Sequence, residues 1–105
     1  MLRPYVLALL FALPSGGASA EVVTPKYWPS TDLAPYICTD TESSFGHRVS
    51  YDAAEQHMLV LLKSTYYPYC GIDPVTVQAL LAAPSKGRFY NASIKGRFDC
   101  RGIPR

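Results

Sequence analysis

From Ser43 to Tyr51 the chain sets Phe45, His47, Val49 and Tyr51 against Ser44, Gly46, Arg48 and Ser50. A period of two puts alternate side chains on opposite faces and predicts a half-buried strand. Asp52 to His57 is polar and predicts a turn. Met58-Leu59-Val60-Leu61-Leu62 is apolar throughout and predicts a strand covered on both faces. Ser64-Thr65 then makes a tight connection to a third strand, Tyr66 to Cys70, with Tyr67 and Tyr69 on one face. Pro68 cannot donate to a ladder, which places this strand at a sheet edge or a bulge.

The period changes after Gly71. Asp73 is a side-chain acceptor for the free N–H groups of a first helical turn, and Pro74 at the next position has no N–H to waste. Val77, Leu80 and Leu81 line one helical face. Pro84 ends the run, because the residue before proline is pushed out of the α region. Gly87 is expected to take positive φ in the turn that follows. A second short helix is predicted over Arg88 to Lys95, with Tyr90 and Ile94 on one face and Gly96 as its terminator. The expected fold class is α+β: a small three-stranded antiparallel sheet followed by two short helices packed on it.

The flanks read differently. Residues 1–20 carry Arg3, an apolar stretch from Tyr5 to Leu13, and small residues ending in Ala18-Ser19-Ala20. This is the pattern of a secretory signal peptide cleaved after Ala20, with an apolar run shorter than the roughly 20 residues that span a bilayer. The expectation is an exported protein, periplasmic or extracellular, with no stable membrane insertion after cleavage. Residues 21–42 hold Pro25, Pro29 and Pro35 among Tyr27, Trp28 and Tyr36, and are expected to form an extended arm, part of which docks through its aromatics. Residues 43–100 form the domain, and 101–105 are a basic tail.

The 85 residues after Ala20 make one small domain, for which a covalent tie is a useful supplement to a limited core. Three cysteines follow the leader, so one intramolecular bridge and one free thiol are expected in an oxidising compartment. Cys38–Cys100 would join the two flanks, and Cys70–Cys100 would join a strand to the tail. No Cys-x-x-Cys pair occurs and His47 and His57 are not helix neighbours, so no metal site or cofactor is expected.

The segment from Ser43 to Phe98 resembles the KTSC domain, a module named for its place at the C-terminus of some lysyl-tRNA synthetases. The matching pieces are Ser43 to Phe45, Val49-Ser50-Tyr51-Asp52, Tyr67-Pro68-Tyr69, and Leu80 to Phe98. The resemblance implies a stand-alone, exported bacterial member. Related exported members carry a cysteine where Ser50 stands; on that reading Cys70 has lost its cross-strand partner, leaving Cys38 to pair with Cys100. RNA binding is a suggestion that comes with the synthetase context.

Charge adds one candidate chemistry. The whole chain has ten Lys and Arg against eight Asp and Glu, yet Lys86, Arg88, Lys95, Arg97, Arg101 and Arg105 face Asp99 alone in the last twenty residues. Cations interleaved with Phe89, Tyr90 and Phe98 suit phosphates beside stacked rings. Lys86-Gly87-Arg88 is the sharpest local feature, a turn with exposed N–H groups next to a helix N-terminus. Asn91 is expected to bond local backbone. Nucleophile, base and orienting group do not converge, so no catalytic residue is expected. The preferred reading is a non-catalytic binding module for nucleic acid or another polyanion, through Tyr67, Tyr69, Lys86, Arg88, Asn91, Lys95 and Arg97. The alternative is a structural or protein-interaction role in the cell envelope, through the arm or the edge at Tyr66 to Cys70.

Overall fold

A computed structural model describes residues 21–42 and 45–100. The leader and the basic tail expected from the sequence lie outside them. Six strands and two helices follow in order: β1 (Val22–Val23), β2 (Thr31–Asp32), β3 (Ile37–Asp40), β4 (Arg48–Asp52), β5 (His57–Leu62), β6 (Thr65–Cys70), α1 (Pro74–Ala82) and α2 (Lys86–Ser93). The fold class is α+β, but the sheet is not three-stranded. β3 to β6 form a four-stranded antiparallel meander, and β1 and β2 form a separate two-stranded ribbon.

The extra strands come from the segment expected to be an extended arm. Its prolines do not prevent pairing, because they fall between the short strands. β3 pairs with β4 in the register Cys38 to Ser50 and Asp40 to Arg48. Arg48 ties the layers together, reaching Asp40 at 2.9 Å and Glu21 at 3.3 Å. β4 itself is shorter than the sequence alternation, starting at Arg48. Gly46 lies before it, where a Cβ would meet the Leu61 carbonyl at 3.2 Å and the Leu62 side chain at 3.1 Å. The chain crosses so close to β5 there that only glycine fits without displacing a neighbour.

β5 is the central element. Met58, Leu59 and Val60 are fully buried, as a continuous apolar run demands. Met58 and Val60 join Val49, Ile72, Val77, Leu80 and Ile94 in the core under the helices. Leu59 and His57 project from the other face of the strand by the pleat alternation. That face is closed by the N-terminal segment, with Trp28 stacked on His57 at 4.7 Å between ring centroids and Lys26 N–H donating to the Tyr66 carbonyl.

α1 begins where its cap predicts: the Asp73 carboxylate accepts from Thr76 N–H at 3.1 Å, with Pro74 at the first position. Ala83, before Pro84, is extended and ends the helix. α2 then starts two residues earlier than the sequence reading. Ser85 caps it by accepting from Arg88 N–H, so Gly87 lies inside the first turn and takes no positive φ. Gly96 does take φ +76° shortly after α2.

The disulfide joins Cys70 to Cys100, leaving Cys38 free and exposed. This overturns the Cys38–Cys100 pairing. Antiparallel register puts Cys38, not Cys70, opposite Ser50, whose hydroxyl donates to Cys38 Sγ at 2.6 Å. Cys70 is instead at the end of β6, where its N–H donates to the Phe98 carbonyl and brings the chain after α2 alongside.

Two outcomes are expected. Cys100→Ser will lower unfolding free energy by about 2–5 kcal/mol, whereas Cys38→Ser will change it by about 0.5 kcal/mol or less, both read from urea melts under oxidising conditions. Ser50→Cys will form a second bridge to Cys38, so that thiol titration of the unfolded, unreduced protein falls from one reactive group to none.

Candidate functional site

β6 builds the floor of an open cleft of about 690 Å³. Tyr67, Pro68 and Tyr69 line it from the strand, Tyr90 from α2, and Lys95, Gly96 and Phe98 from the chain that follows. Lys26 and Tyr27 close it from the N-terminal segment. The Lys26 ammonium sits between two rings, 5.3 Å from the centroid of Tyr27 and 5.8 Å from that of Tyr67, within cation–π range.

Tyr27 is the least ordinary residue of the cleft. The residue is 83% exposed and its backbone is held at φ 60°, in the left-handed region that an aromatic residue rarely takes. Such strain persists only where surrounding structure holds it, and it gathers at binding sites. The ring offers a flat face at the mouth of the cleft.

Tyr69 serves the wall rather than the mouth. Its hydroxyl shares a 2.8 Å hydrogen bond with that of Tyr90, and the two rings meet edge to face at 5.9 Å. Burial first, and this bond second, push the Tyr69 phenol far above its usual range. Phe45 packs on Tyr90 at 4.9 Å, so the wall is continuous with the core.

The structure therefore divides the seven residues singled out from the sequence. Tyr67, Tyr69 and Lys95 meet in the cleft. Lys86, Arg88, Asn91 and Arg97 do not line it. Lys86 Nζ donates to the Ala83 carbonyl at the end of α1, and an Arg97 guanidinium N–H donates to the Ala92 carbonyl near the end of α2. These two cations complete helix C-termini, where unpaired carbonyls favour positive charge. Arg88 and Asn91 are exposed on α2. Asn91 makes no side-chain hydrogen bond among the described residues, and Ser85 takes the capping role expected of it. The Lys86-Gly87-Arg88 turn is the first turn of a helix whose Arg88 N–H is already occupied.

A profile of the KTSC domain matches residues 42–98, more than half of the sequence. The chain belongs to the KTSC domain family. A crystal structure of a KTSC domain protein from Yersinia pestis is similar to it, with 28% identity, 61% of this chain and 92% of that chain covered, and a TM-score of 0.57. No functionally curated protein matches it. Lys26 and Tyr27 precede the KTSC match, so the cleft is assembled from the family domain and from the segment before it.

A second group centres on His57, at the start of β5 and 5% exposed. Its ring lies under Trp28, and its Nδ1 shares a 2.5 Å hydrogen bond with the Tyr36 hydroxyl. Burial lowers the His57 pKa from about 6.5, although Asp52 across the β4–β5 ladder opposes the shift. Burial, with Asp52 and Glu55 adding to it, raises the Tyr36 phenol to about 12. Both groups are neutral at pH 7.

The sign for stability follows. The unfolded histidine takes up a proton near pH 6.5 that the folded one resists, so unfolding free energy falls as pH drops below about 6.5 and continues to fall until the lower folded value is passed. Melting temperatures of the wild type are expected to decline from pH 7.5 to 5.5, and His57→Phe, which keeps an aromatic ring under Trp28, will flatten that decline.

Proposed function

We propose that this KTSC protein is a non-catalytic binding module whose cleft takes a polyanion carrying flat rings, single-stranded nucleic acid being the class that uses every part of it. The observation that carries the reading is Tyr27, an exposed aromatic in a strained backbone conformation, with Lys26 held between it and Tyr67. Lys26 and Lys95 supply charge for phosphates, and Tyr27 and Tyr67 supply faces for stacking. Export to the periplasm or beyond belongs to the same proposal and is supported by the leader-like pattern of residues 1–20 alone.

A protein-interaction role is the second reading, now moved to another edge. At β6 the Tyr66 carbonyl and the Cys70 N–H are already occupied by Lys26 and Phe98, and Pro68 between them has no N–H. β3 lies at the opposite sheet edge with all four residues exposed, Ile37 at 78%. Such an edge is open to an added strand.

The test is fluorescence anisotropy of labelled single-stranded RNA, DNA and inorganic polyphosphate at two salt concentrations. Nucleic acid is expected to bind better than polyphosphate and to weaken with salt. Lys26→Ala with Lys95→Ala will reduce the log–log salt slope by roughly 1.4, at about 0.7 for each phosphate contact. Tyr27→Ala will cost about 1–3 kcal/mol, and Lys86→Ala with Arg88→Ala will leave binding nearly unchanged. Equal, weak binding to all three polymers would refute the cleft reading.

A further inference from the structure

We infer that the Cys70–Cys100 pair and His57 form a redox-gated site for a thiophilic d10 cation, closed while the disulfide is intact and open in the dithiol. A ring nitrogen of His57 and the two Sγ atoms lie within 4.8 Å of one another. These residues are far apart in sequence, the two cysteines being 30 positions apart, and the fold brings them to one end of β5 and β6.

The histidine is the independent observation. Its Nε2 is buried and has no hydrogen-bond partner among the described residues. A buried polar nitrogen without a partner has lost its hydration with nothing in return, and it calls for an explanation. Its Nδ1 shares a hydrogen bond with the Tyr36 hydroxyl, and in the tautomer whose Nδ1–H donates to that oxygen Nε2 is a bare lone pair, as in a ligating histidine held by an outer oxygen. Trp28 fixes the ring plane from the other side.

A route from solvent is present. A second recess of about 610 Å³ reaches both His57 and Cys70. Asp32 and Glu55 line the same recess and favour an approaching cation. While the sulfurs are bonded to each other, neither is a thiolate and the site lacks two of its three donors. A dithiol or phosphine reductant supplies two electrons, the S–S bond breaks, and two protons complete the thiols. Metal then displaces those protons and draws two thiolates and one imidazole around itself, at about 2.3 Å for sulfur and about 2.0 Å for nitrogen. Two soft thiolates with one imidazole suit copper(I) in three-coordination and zinc(II) with a water as fourth ligand. The site does not depend on the aromatic cleft reading, since none of its ligands is a proposed contact for nucleic acid.

The test uses the full domain with Cys38→Ser, which removes the exposed thiol as a competing ligand. Oxidised and phosphine-reduced samples are titrated with copper(I) against a chromophoric chelator, and separately with zinc(II). One equivalent of at least one metal is expected in the reduced sample and none in the oxidised one. His57→Phe, its fold checked by circular dichroism, is expected to weaken binding at least about tenfold. X-ray absorption of the loaded protein should show two sulfur ligands and one nitrogen ligand, a readout that holds even if the variant folds poorly. Absence of stoichiometric metal in the reduced sample, equal binding in the oxidised one, or a first shell of sulfur alone would overturn the inference.

Discussion

A strand that is apolar on both faces cannot lie on the surface of a sheet. β5 is such a strand, and Met58, Leu59 and Val60 reach full burial only because two different layers cover it. The helical layer covers one side through Val77, Leu80 and Ile94, and the N-terminal segment closes the other through Trp28 and Tyr36. At about 25 cal/mol for each Å² of apolar surface removed from water, both layers are needed for a domain this small to hold together. The order of elements, the short ribbon of β1 and β2, and the addition of β3 to the sheet all follow from that need.

The second cover also creates the chemistry. Lys26 and Tyr27 stand at the mouth of the cleft because the segment that carries them is pinned by a backbone bond to Tyr66. Trp28, one residue further, presses on His57 and makes that histidine a buried neutral group rather than a turn residue. The Cys70–Cys100 bridge lies between the two recesses, Cys100 lining one and Cys70 the other. Covering β5 therefore organises both candidate sites, and the charged turn at Lys86 to Arg88 plays no part in either.

Local signals were legible where proline sterics, an Asp cap or strand alternation set the backbone directly. Asp73, Pro74 and Pro84 bound α1 through caps and backbone sterics, and both Tyr67 and Tyr69 face the cleft as their shared parity requires. Local side-chain hydrogen bonds were not legible, because several nearby groups compete for each of them and only the folded geometry selects one. Gly87 looked like a turn because Ser85, the actual cap, is an ordinary residue until its hydroxyl meets Arg88 N–H. Lys86 and Arg97 looked like ligands for an anion, and their partner is instead a carbonyl at the end of a helix. Tyr27 was passed over because strain at φ 60° has no signature in residue type; the crowding of aromatics in residues 21–42 was the available hint that this segment packs.

The α+β class and the succession of β4, β5, β6, α1 and α2 are written in the sequence, because periodicity, caps and prolines act over one or two turns of chain. Membership of the KTSC family rests on its matched residues 42–98. Tertiary structure alone decided the fourth strand, the Cys70–Cys100 pairing and the meeting of Lys26 and Tyr27 with Tyr67 and Lys95. The first pairs residues 8 to 14 positions apart and the other two join residues 30 or more apart, and what selects among such pairings is the burial of both faces of one strand, a condition that exists only once the chain has closed on itself.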